Sequence, residues 1–191
     1  DDLDNVIYEV LMLFFSETFS TGLLPSGWSI SAAQGDGWRF TGTPGYHAAD
    51  NGRPDGSYAW IDFSNSDQTT VLQLPTLNLP YLSEVVVSFD YWSDPGSFAV
   101  TAPNIMYIEI ADENGANWQI IGTYDTVTTG WETKTISFTN NNSNNTYIRF
   151  RGETGPGSAT DWYNDLLIDN VVVKSNNLMA GLSKSGSILT L

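Results

Sequence analysis

The feature that most constrains this chain is a succession of short runs rich in β-branched and aromatic residues, each bounded by Gly, Asn, Asp or Pro. Repeated runs of this kind are typical of the strands of a sandwich or a barrel. The predicted strands cover residues 58–63, 71–79, 84–92, 105–111, 117–123, 132–139, 146–151 and 166–173. Because 191 residues suffice for one such domain and are few for two, the sequence predicts a single all-β domain.

Three segments around these strands have distinctive sequences. Asp112-Glu113-Asn114-Gly115 separates two predicted strands, and Asn-Gly supplies the positive φ angles of a tight hairpin. Residues 140–145, NNNSNN, have no apolar side chain and predict a polar surface loop. In residues 3–15 the apolar positions fit a helix face, but a strand fits as well, and both remain open.

Apolar segments lie near both ends of the chain. Residues 1–15 predict an apolar N-terminal arm or an added strand, and residues 175–191 predict a C-terminal linker or a pairing strand. The apolar run 6–15 is far shorter than the roughly 20 residues of a membrane-spanning helix. We therefore expect no membrane insertion.

Charge and cysteine content narrow the classes of function. The net charge of −15, from 22 acidic and 7 basic residues, repels nucleic acids and anionic membranes and favours small cations. The absence of cysteine excludes disulfides, thiolate zinc sites and cysteine nucleophiles. Because the chain starts at Asp1 without a methionine or a basic segment, we expect a secreted chain whose export signal has been removed.

The residues needed for catalysis are scarce. The single histidine, His47, lies in a loop rich in Gly, Pro and Asp, and no Gly-x-Ser-x-Gly motif is present. Glu109 and Glu113 would share one face of a strand, but the spacing of acids around them departs from that of jelly-roll glycosidases. We interpret this run as a solvated hairpin and predict that the chain is not an enzyme.

The segment 47–56 suits a hard cation. Calcium takes about six to eight oxygen ligands from carboxylates, amide side chains and turn carbonyls, and this segment contains Asp50, Asn51 and Asp55. The spacing of an EF-hand is missing, and the same residue types are common in plain turns. From the residues alone, a calcium site and a plain turn remain open.

Seven tryptophans suggest a binding surface as well as a core. Trp60, Trp92 and Trp118 lie in predicted strands, where burial of a large ring is the common outcome. Tyr46, Trp162 and Tyr163 lie in segments rich in Gly, Pro and Asp, where a ring is more readily exposed. These last three are the candidate ligand-binding residues.

Short motifs follow one another in a characteristic order between residues 17 and 173. They are Glu17-Thr18-Phe19, Leu24-Pro25-Ser26-Gly27-Trp28, Gly35-Asp36-Gly37-Trp38, Gly56-Ser57-Tyr58-Ala59, Val87-Ser88-Phe89-Asp90-Tyr91-Trp92 and a closing segment from Trp162 to Val173. In this order they resemble the MAM domain and its bacterial relatives, the cleaved-adhesin domains of gingipain-like proteases.

The resemblance implies a jelly-roll β-sandwich of two antiparallel sheets over residues 16–174, like that of MAM and galactose-binding domains. It implies a structural calcium ion where the first and last strands meet, with Glu17, Asp50 and Asp169 as ligands. Asp55 is a further candidate ligand. The cysteines of vertebrate members are missing, which favours a bacterial protein. We therefore expect a secreted or cell-surface adhesion module that binds an extracellular protein or a glycan.

Two alternative functions remain. In the first, the apolar arm at residues 6–15 or the tail at 188–191 adds a strand to a neighbouring copy, which would make a self-assembling filament or lattice subunit. In the second, the chain is a carbohydrate-binding module of a glycan-active enzyme. A jelly roll is compatible with each of these functions.

Overall fold

The computed structural model describes residues 9–42, 44, 53, 57–64, 68–96, 99–156, 162 and 164–178, and at residues 9–11 and 176–178 it describes the backbone alone. Eleven strands lie within these residues: β1 Glu9–Glu17, β2 Ser29–Gln34, β3 Trp38–Arg39, β4 Ala59–Ile61, β5 Thr69–Gln73, β6 Glu84–Asp94, β7 Ile105–Ala111, β8 Trp118–Tyr124, β9 Glu132–Thr139, β10 Tyr147–Glu153 and β11 Asp165–Leu178. None of the described residues forms a helix long and apolar enough to cross a membrane.

The strands form two antiparallel sheets with the apolar core between them. The six-stranded sheet has the order β3-β4-β11-β6-β9, with β1 also paired to β11. The five-stranded sheet has the order β2-β5-β10-β7-β8. The predicted all-β jelly-roll sandwich is confirmed.

The last strand, β11, organises the six-stranded sheet. Strand β6 pairs with one edge of β11, from Asp165 to Asn176. On the other edge, β4 pairs with residues 166–168 and β1 with residues 171–178. The N-terminal segment is therefore a strand that pairs within its own chain, and its exchange between chains stays a prediction.

Alternating side chains from both sheets fill the core. Phe89 of β6 and Phe150 of β10 meet edge to face across the sandwich, with ring centroids 5.0 Å apart. Each fully buried large apolar side chain contributes roughly 1.5–3 kcal/mol to stability. At Gly152 of β10, a Cβ atom would lie only 2.2 Å from Ile61 Cδ1. The absence of a side chain at this position lets the sheets approach.

The predicted strands differ from the structure in number and in extent. The predicted strand at residues 71–79 ends at Gln73, shortly before Pro75, which has no N–H to donate to the sheet. The prediction lacks β2 and β3; all six residues of β2 are exposed and show no alternation of buried and exposed positions, and β3 has two residues. Among the described strands, β2 is an edge strand that pairs with β5 alone.

The hairpin between β7 and β8 is present but wider than the Asn-Gly signal indicates. Ala111 pairs with Trp118, so the loop spans residues 112–117. Gly115 has the expected positive φ of 72°. The carboxylate of Asp112 closes the loop by accepting hydrogen bonds from the backbone N–H groups of Asn114, at 3.1 Å, and Ala116, at 3.0 Å.

Candidate binding face and the predicted cation site

The outer face of the five-stranded sheet carries an ordered polar and aromatic cluster. Inward-facing residues of β7 and β10 alternate with outward-facing ones, and the register places Glu109 opposite Arg149 and Tyr107 opposite Arg151. Trp118 projects from the start of the adjacent edge strand β8. We call these five residues the arginine–aromatic face.

Glu109 holds the centre of the arginine–aromatic face. Its side chain is buried, and its two carboxylate oxygens accept separate hydrogen bonds, from Arg149 Nε at 2.6 Å and from Arg151 Nε at 3.1 Å. Arg151 also pairs with Glu153. Because charge-assisted bonds of this kind are the strong ones, the two guanidinium groups are held in fixed positions.

Each guanidinium lies over an aromatic ring. The Cζ atom of Arg149 is 3.7 Å from the centroid of the Trp118 ring, and that of Arg151 is 4.0 Å from the centroid of Tyr107. Such contacts contribute about 0.5–2 kcal/mol each. The Nη atoms of Arg149 have no hydrogen-bond partner among the described residues, and Ile120, which pairs with Glu109 across β8 and β7, is 52% exposed. The face therefore offers rigid apolar surface and free N–H donors together.

The two glutamates considered for catalysis do not form a pair. Strand β7 ends at Ala111, and the Glu113 carboxylate accepts hydrogen bonds from the backbone N–H and the hydroxyl of Ser143, at 3.2 and 2.8 Å. Glu113 is solvated as predicted, whereas the prediction for Glu109 is wrong because two arginines cover it. The sequence does not show which arginines lie opposite Glu109, since the register is set only when the strands pair.

The predicted site residues are distributed over several places. Asp50, Asp55, Tyr46 and Tyr163 lie outside the described residues. Glu17 closes the turn after β1, where its Oε1 accepts hydrogen bonds from the backbone N–H groups of the next two residues, at 2.9 and 2.7 Å. Trp162 is 50% exposed, which agrees with its predicted exposure.

Asp169 of β11 pairs with a guanidinium from the predicted cation loop. The side chain of Arg53 contacts Asp169 directly and donates to Asp90 Oδ2 at 2.9 Å. Asn170 and Thr133 also donate hydrogen bonds to the Asp90 carboxylate, at 2.8 and 2.7 Å. We call these five residues the Arg53 cluster.

The carboxylates of the Arg53 cluster differ in pKa. Burial raises the pKa of Asp169 to about 6, although Arg53 and the backbone N–H of Asn170 favour its charged form. At Asp90 burial acts in the same direction, but hydrogen bonds from Asn170, Thr133 and Arg53 outweigh it and hold the pKa below its ordinary value. The Arg53 guanidinium thus pairs with two carboxyl groups whose pKa values are shifted in opposite directions.

Among the described residues, the cationic group that contacts Asp169 is Arg53. No three acidic or histidine side chains among them come close enough together to hold a metal ion. Arg53 already supplies the positive charge that Asp169 and Asp90 face. Calcium bound jointly by Glu17, Asp50, Asp55 and Asp169 stays a prediction.

A second apolar cluster lies next to the Arg53 cluster, on the outer face of the six-stranded sheet. It consists of Tyr58, Trp60, Trp92, Leu167 and Trp131. Arg53 stacks on Trp131 with its Cζ 3.8 Å from the ring centroid. The predicted burial of Trp60 and Trp92 is confirmed. For Trp118 the prediction is wrong, because its ring is only half-buried on the opposite outer face.

Solved structures share this fold at low sequence identity. The K3 cleaved adhesin domain of Lys-gingipain from Porphyromonas gingivalis W83 is 18% identical, with a TM-score of 0.59, over 86% of this chain and 100% of that one. The CBM22-2 xylan-binding domain of Paenibacillus barcinonensis Xyn10C is 13% identical, with a TM-score of 0.51, over 85% of this chain and 99% of that one. The predicted resemblance to cleaved-adhesin domains is therefore confirmed at the level of fold.

The same fold also carries catalysis in another protein. The Stig cyclase Fisc from Fischerella sp. TAU is 13% identical, with a TM-score of 0.54, over 87% of this chain and 98% of that one. No protein-family model matches the sequence, and no curated protein matches it. The fold alone therefore does not assign a function, and the side chains on its surfaces must carry the argument.

Proposed function

We propose that this chain is a non-catalytic extracellular recognition domain that binds neutral glycans through its arginine–aromatic face. The observation that carries the proposal is Arg149, which is held over Trp118 by Glu109 while its Nη atoms have no partner among the described residues. A sugar offers an apolar C–H face and hydroxyl oxygens. The ring surfaces and the free guanidinium N–H groups complement these two features.

Charge favours a neutral ligand. On the five-stranded sheet, Arg149 and Arg151 pair with Glu109 and with Glu153, which lies next to the arginine–aromatic face, so these four side chains together have no net charge. The whole chain carries a net charge of −15, which repels polyanionic glycans at long range. Similarity in fold to a xylan-binding domain and to an adhesin domain supports the same class of function and a secreted or cell-surface location.

The absence of catalysis is part of the proposal. Most glycosidases need two carboxyl groups on either side of the scissile bond, one as a general acid and the other as a nucleophile or as a base that activates water. Here both oxygens of Glu109 accept bonds from arginines, and Glu113 lies in the hairpin loop beside Ser143. The carboxyl groups of Glu109 and Glu113 are therefore not placed to act as a catalytic pair.

The test compares the half-buried Trp118 with the exposed Trp162. We would screen the full chain on a glycan array and measure binding of soluble xylo-oligosaccharides and β-1,4-galacto-oligosaccharides by calorimetry. Trp118→Ala should weaken binding about tenfold or more, which is about 1.4 kcal/mol. Trp162→Ala should leave the affinity unchanged, because Trp162 lies outside the arginine–aromatic face.

Two outcomes would contradict the proposal. If Trp162→Ala abolished binding while Trp118→Ala did not, the site would lie in the loop before β11, where Tyr163 is also a candidate ligand-binding residue. If no glycan bound the unaltered chain, the ligand would be of another class, with an extracellular protein as the next to test. Urea unfolding of both variants controls for loss of structure.

A further inference from the structure

A pocket of about 340 Å³ opens at the edge of the sandwich beside the arginine–aromatic face. Its volume is near the lower end of the range of about 300–1,000 Å³ found for small-molecule sites. Its walls come from β7, β8, β9 and the loop before β10. Five amide side chains and one ring line it: Asn117, Gln119, Asn140, Asn141, Asn142 and Phe138.

Two of these amides make the wall rigid. Asn140 is buried, and its Nδ2 donates to the backbone oxygens of Leu79 and Pro80, at 3.1 and 3.0 Å. Asn142 donates to the backbone oxygens of Ala111 and Asn145, both at 2.9 Å. The prediction of a plain surface loop at residues 140–145 is therefore wrong for Asn140, which anchors the loop.

Two other amides are free to meet a ligand. Gln119 and Asn141 are exposed, and their side chains make no hydrogen bond to any described residue. Each offers two N–H donors and one carbonyl acceptor, a mixture that matches hydroxyl groups, which both donate and accept. Phe138 is half-buried and adds an apolar surface for the C–H face of a sugar ring.

The pocket carries no free charge. Asp112 is the one charged residue among those that line it. Its carboxylate already accepts the backbone N–H groups of Asn114 and Ala116 and contacts the Asn117 amide. The lining therefore suits a neutral, hydroxyl-rich ligand better than an ion.

A strained turn is hydrogen-bonded to Asn140 in the wall of this pocket. Leu82 has a φ of 58°, which is unfavourable for a branched side chain, and its N–H donates to the backbone oxygen of Asn140 at 2.7 Å. Tyr81 and Leu82 are each 60% exposed. The hydrogen bond from Leu82 thus joins this strained and exposed turn to Asn140 in the wall of the pocket.

We infer that this pocket binds one neutral sugar residue, the terminal residue of a glycan that lies on the arginine–aromatic face. Trp118 and Gln119 are consecutive residues of edge strand β8, and they project to opposite sides of it, one onto the face and one into the pocket. Because none of the described strands pairs with the outer edge of β8, a ligand has a path around that edge. The inference rests on the proposed function, since it takes a glycan as the ligand.

The experiment follows the side-chain amide signals of the full chain by ¹H–¹⁵N NMR during titration with xylose, galactose and their β-1,4-linked trimers. At least one sugar should shift the Gln119 and Asn141 signals saturably. Gln119→Ala and Asn141→Ala should each weaken trimer binding about tenfold. Asn144→Ala is the matched control, because Asn144 lies in the same loop and does not line the pocket.

The outcomes separate the two claims. If the trimers shift the Trp118 indole signal while the Gln119 and Asn141 signals stay unchanged, the pocket inference is overturned and the proposed function stands. If the pocket signals shift and the Trp118 signal does not, the pocket is supported as a sugar site and the arginine–aromatic face is refuted. If none of the four sugars shifts the Gln119 and Asn141 signals or the Trp118 signal, both claims fail.

Discussion

The two outer faces of the sandwich carry the same three kinds of group and use them differently. On the six-stranded sheet, Arg53 stacks on Trp131 and pairs with Asp90 and Asp169. On the five-stranded sheet, Arg149 stacks on Trp118 and pairs with Glu109. In each case a guanidinium joins an aromatic ring to a partly or fully buried carboxylate.

The difference lies in where the arginine comes from. Arg53 lies outside the described strands and contacts Asp169, 116 residues away in sequence, so this contact joins two distant parts of the chain. Arg149 belongs to β10 and pairs with the adjacent strand β7, so its contacts leave the outer surface open. The same kind of interaction joins distant parts of the chain at Arg53 and supports an open outer surface at Arg149.

The largest expected effect comes from Arg53→Met, which leaves Asp90 and Asp169 close together without a cation. We expect a loss of about 3 kcal/mol in the free energy of unfolding, near the lower end of the cost of breaking a buried ion pair. Urea unfolding at neutral pH measures it. Arg53→Lys should lose less because it keeps the charge, and adding Asp169→Asn to Arg53→Met should restore part of the loss. A change below about 1 kcal/mol in the free energy of unfolding of Arg53→Met would show that the contacts of Arg53 do not stabilise the fold in this way.

The next largest effect is expected on the arginine–aromatic face. Glu109→Gln should lower the free energy of unfolding by about 2 kcal/mol, because two guanidinium groups lose a charged acceptor. It should also weaken glycan binding, since Arg149 is no longer held over Trp118. Glu113→Gln in the adjacent hairpin is the matched control and should stay within about 0.5 kcal/mol of the unaltered chain. Equal effects of the two substitutions would contradict the central role of Glu109.

A smaller effect should appear in the pH dependence of stability. Because the folded-state pKa of Asp169 is raised to about 6, the folded chain binds a proton more readily than the unfolded chain. The stabilisation from this group is full below about pH 4 and is lost as the pH rises to about 6. We expect on the order of 1 kcal/mol, since contact with Arg53 and solvent screening reduce the effect.

The measurement is the pH profile of urea unfolding for the unaltered chain and for Asp169→Asn. The difference between them should grow in favour of the unaltered chain as the pH falls from 7 to about 4. Asp90, whose pKa is lowered, acts in the opposite direction at lower pH. Identical profiles would mean that Asp169 titrates as an ordinary surface carboxylate.

The sequence predicts much of the fold but little of the candidate site. Eight strands are visible as alternating runs, and the order of motifs around Glu17 and Asp169 identifies the jelly roll. The pairing of Glu109 with Arg149, 40 residues away, depends on strand register, which the alternation of residues does not encode. In the same way, NNNSNN does not reveal that Asn140 is an anchor while Asn141 is free, because the difference arises from Leu79 and Pro80 on a distant turn.

The smallest expected effect is that of calcium on the melting midpoint. It tests whether Arg53 takes the place of a metal ion beside Asp169. If Arg53 supplies the charge that Asp169 faces, excess calcium against excess chelator should barely move the melting midpoint of the unaltered chain. Arg53→Met should become more sensitive, because its two carboxylates then lack a counter-ion, although a weak site gains only about 0.4 kcal/mol when calcium equals its Kd. A large calcium-dependent shift of the unaltered chain would instead support joint ligation by Glu17, Asp50, Asp55 and Asp169. The guanidinium would then have to leave Asp169 when the ion binds, and the Arg53 cluster would be an exchangeable contact.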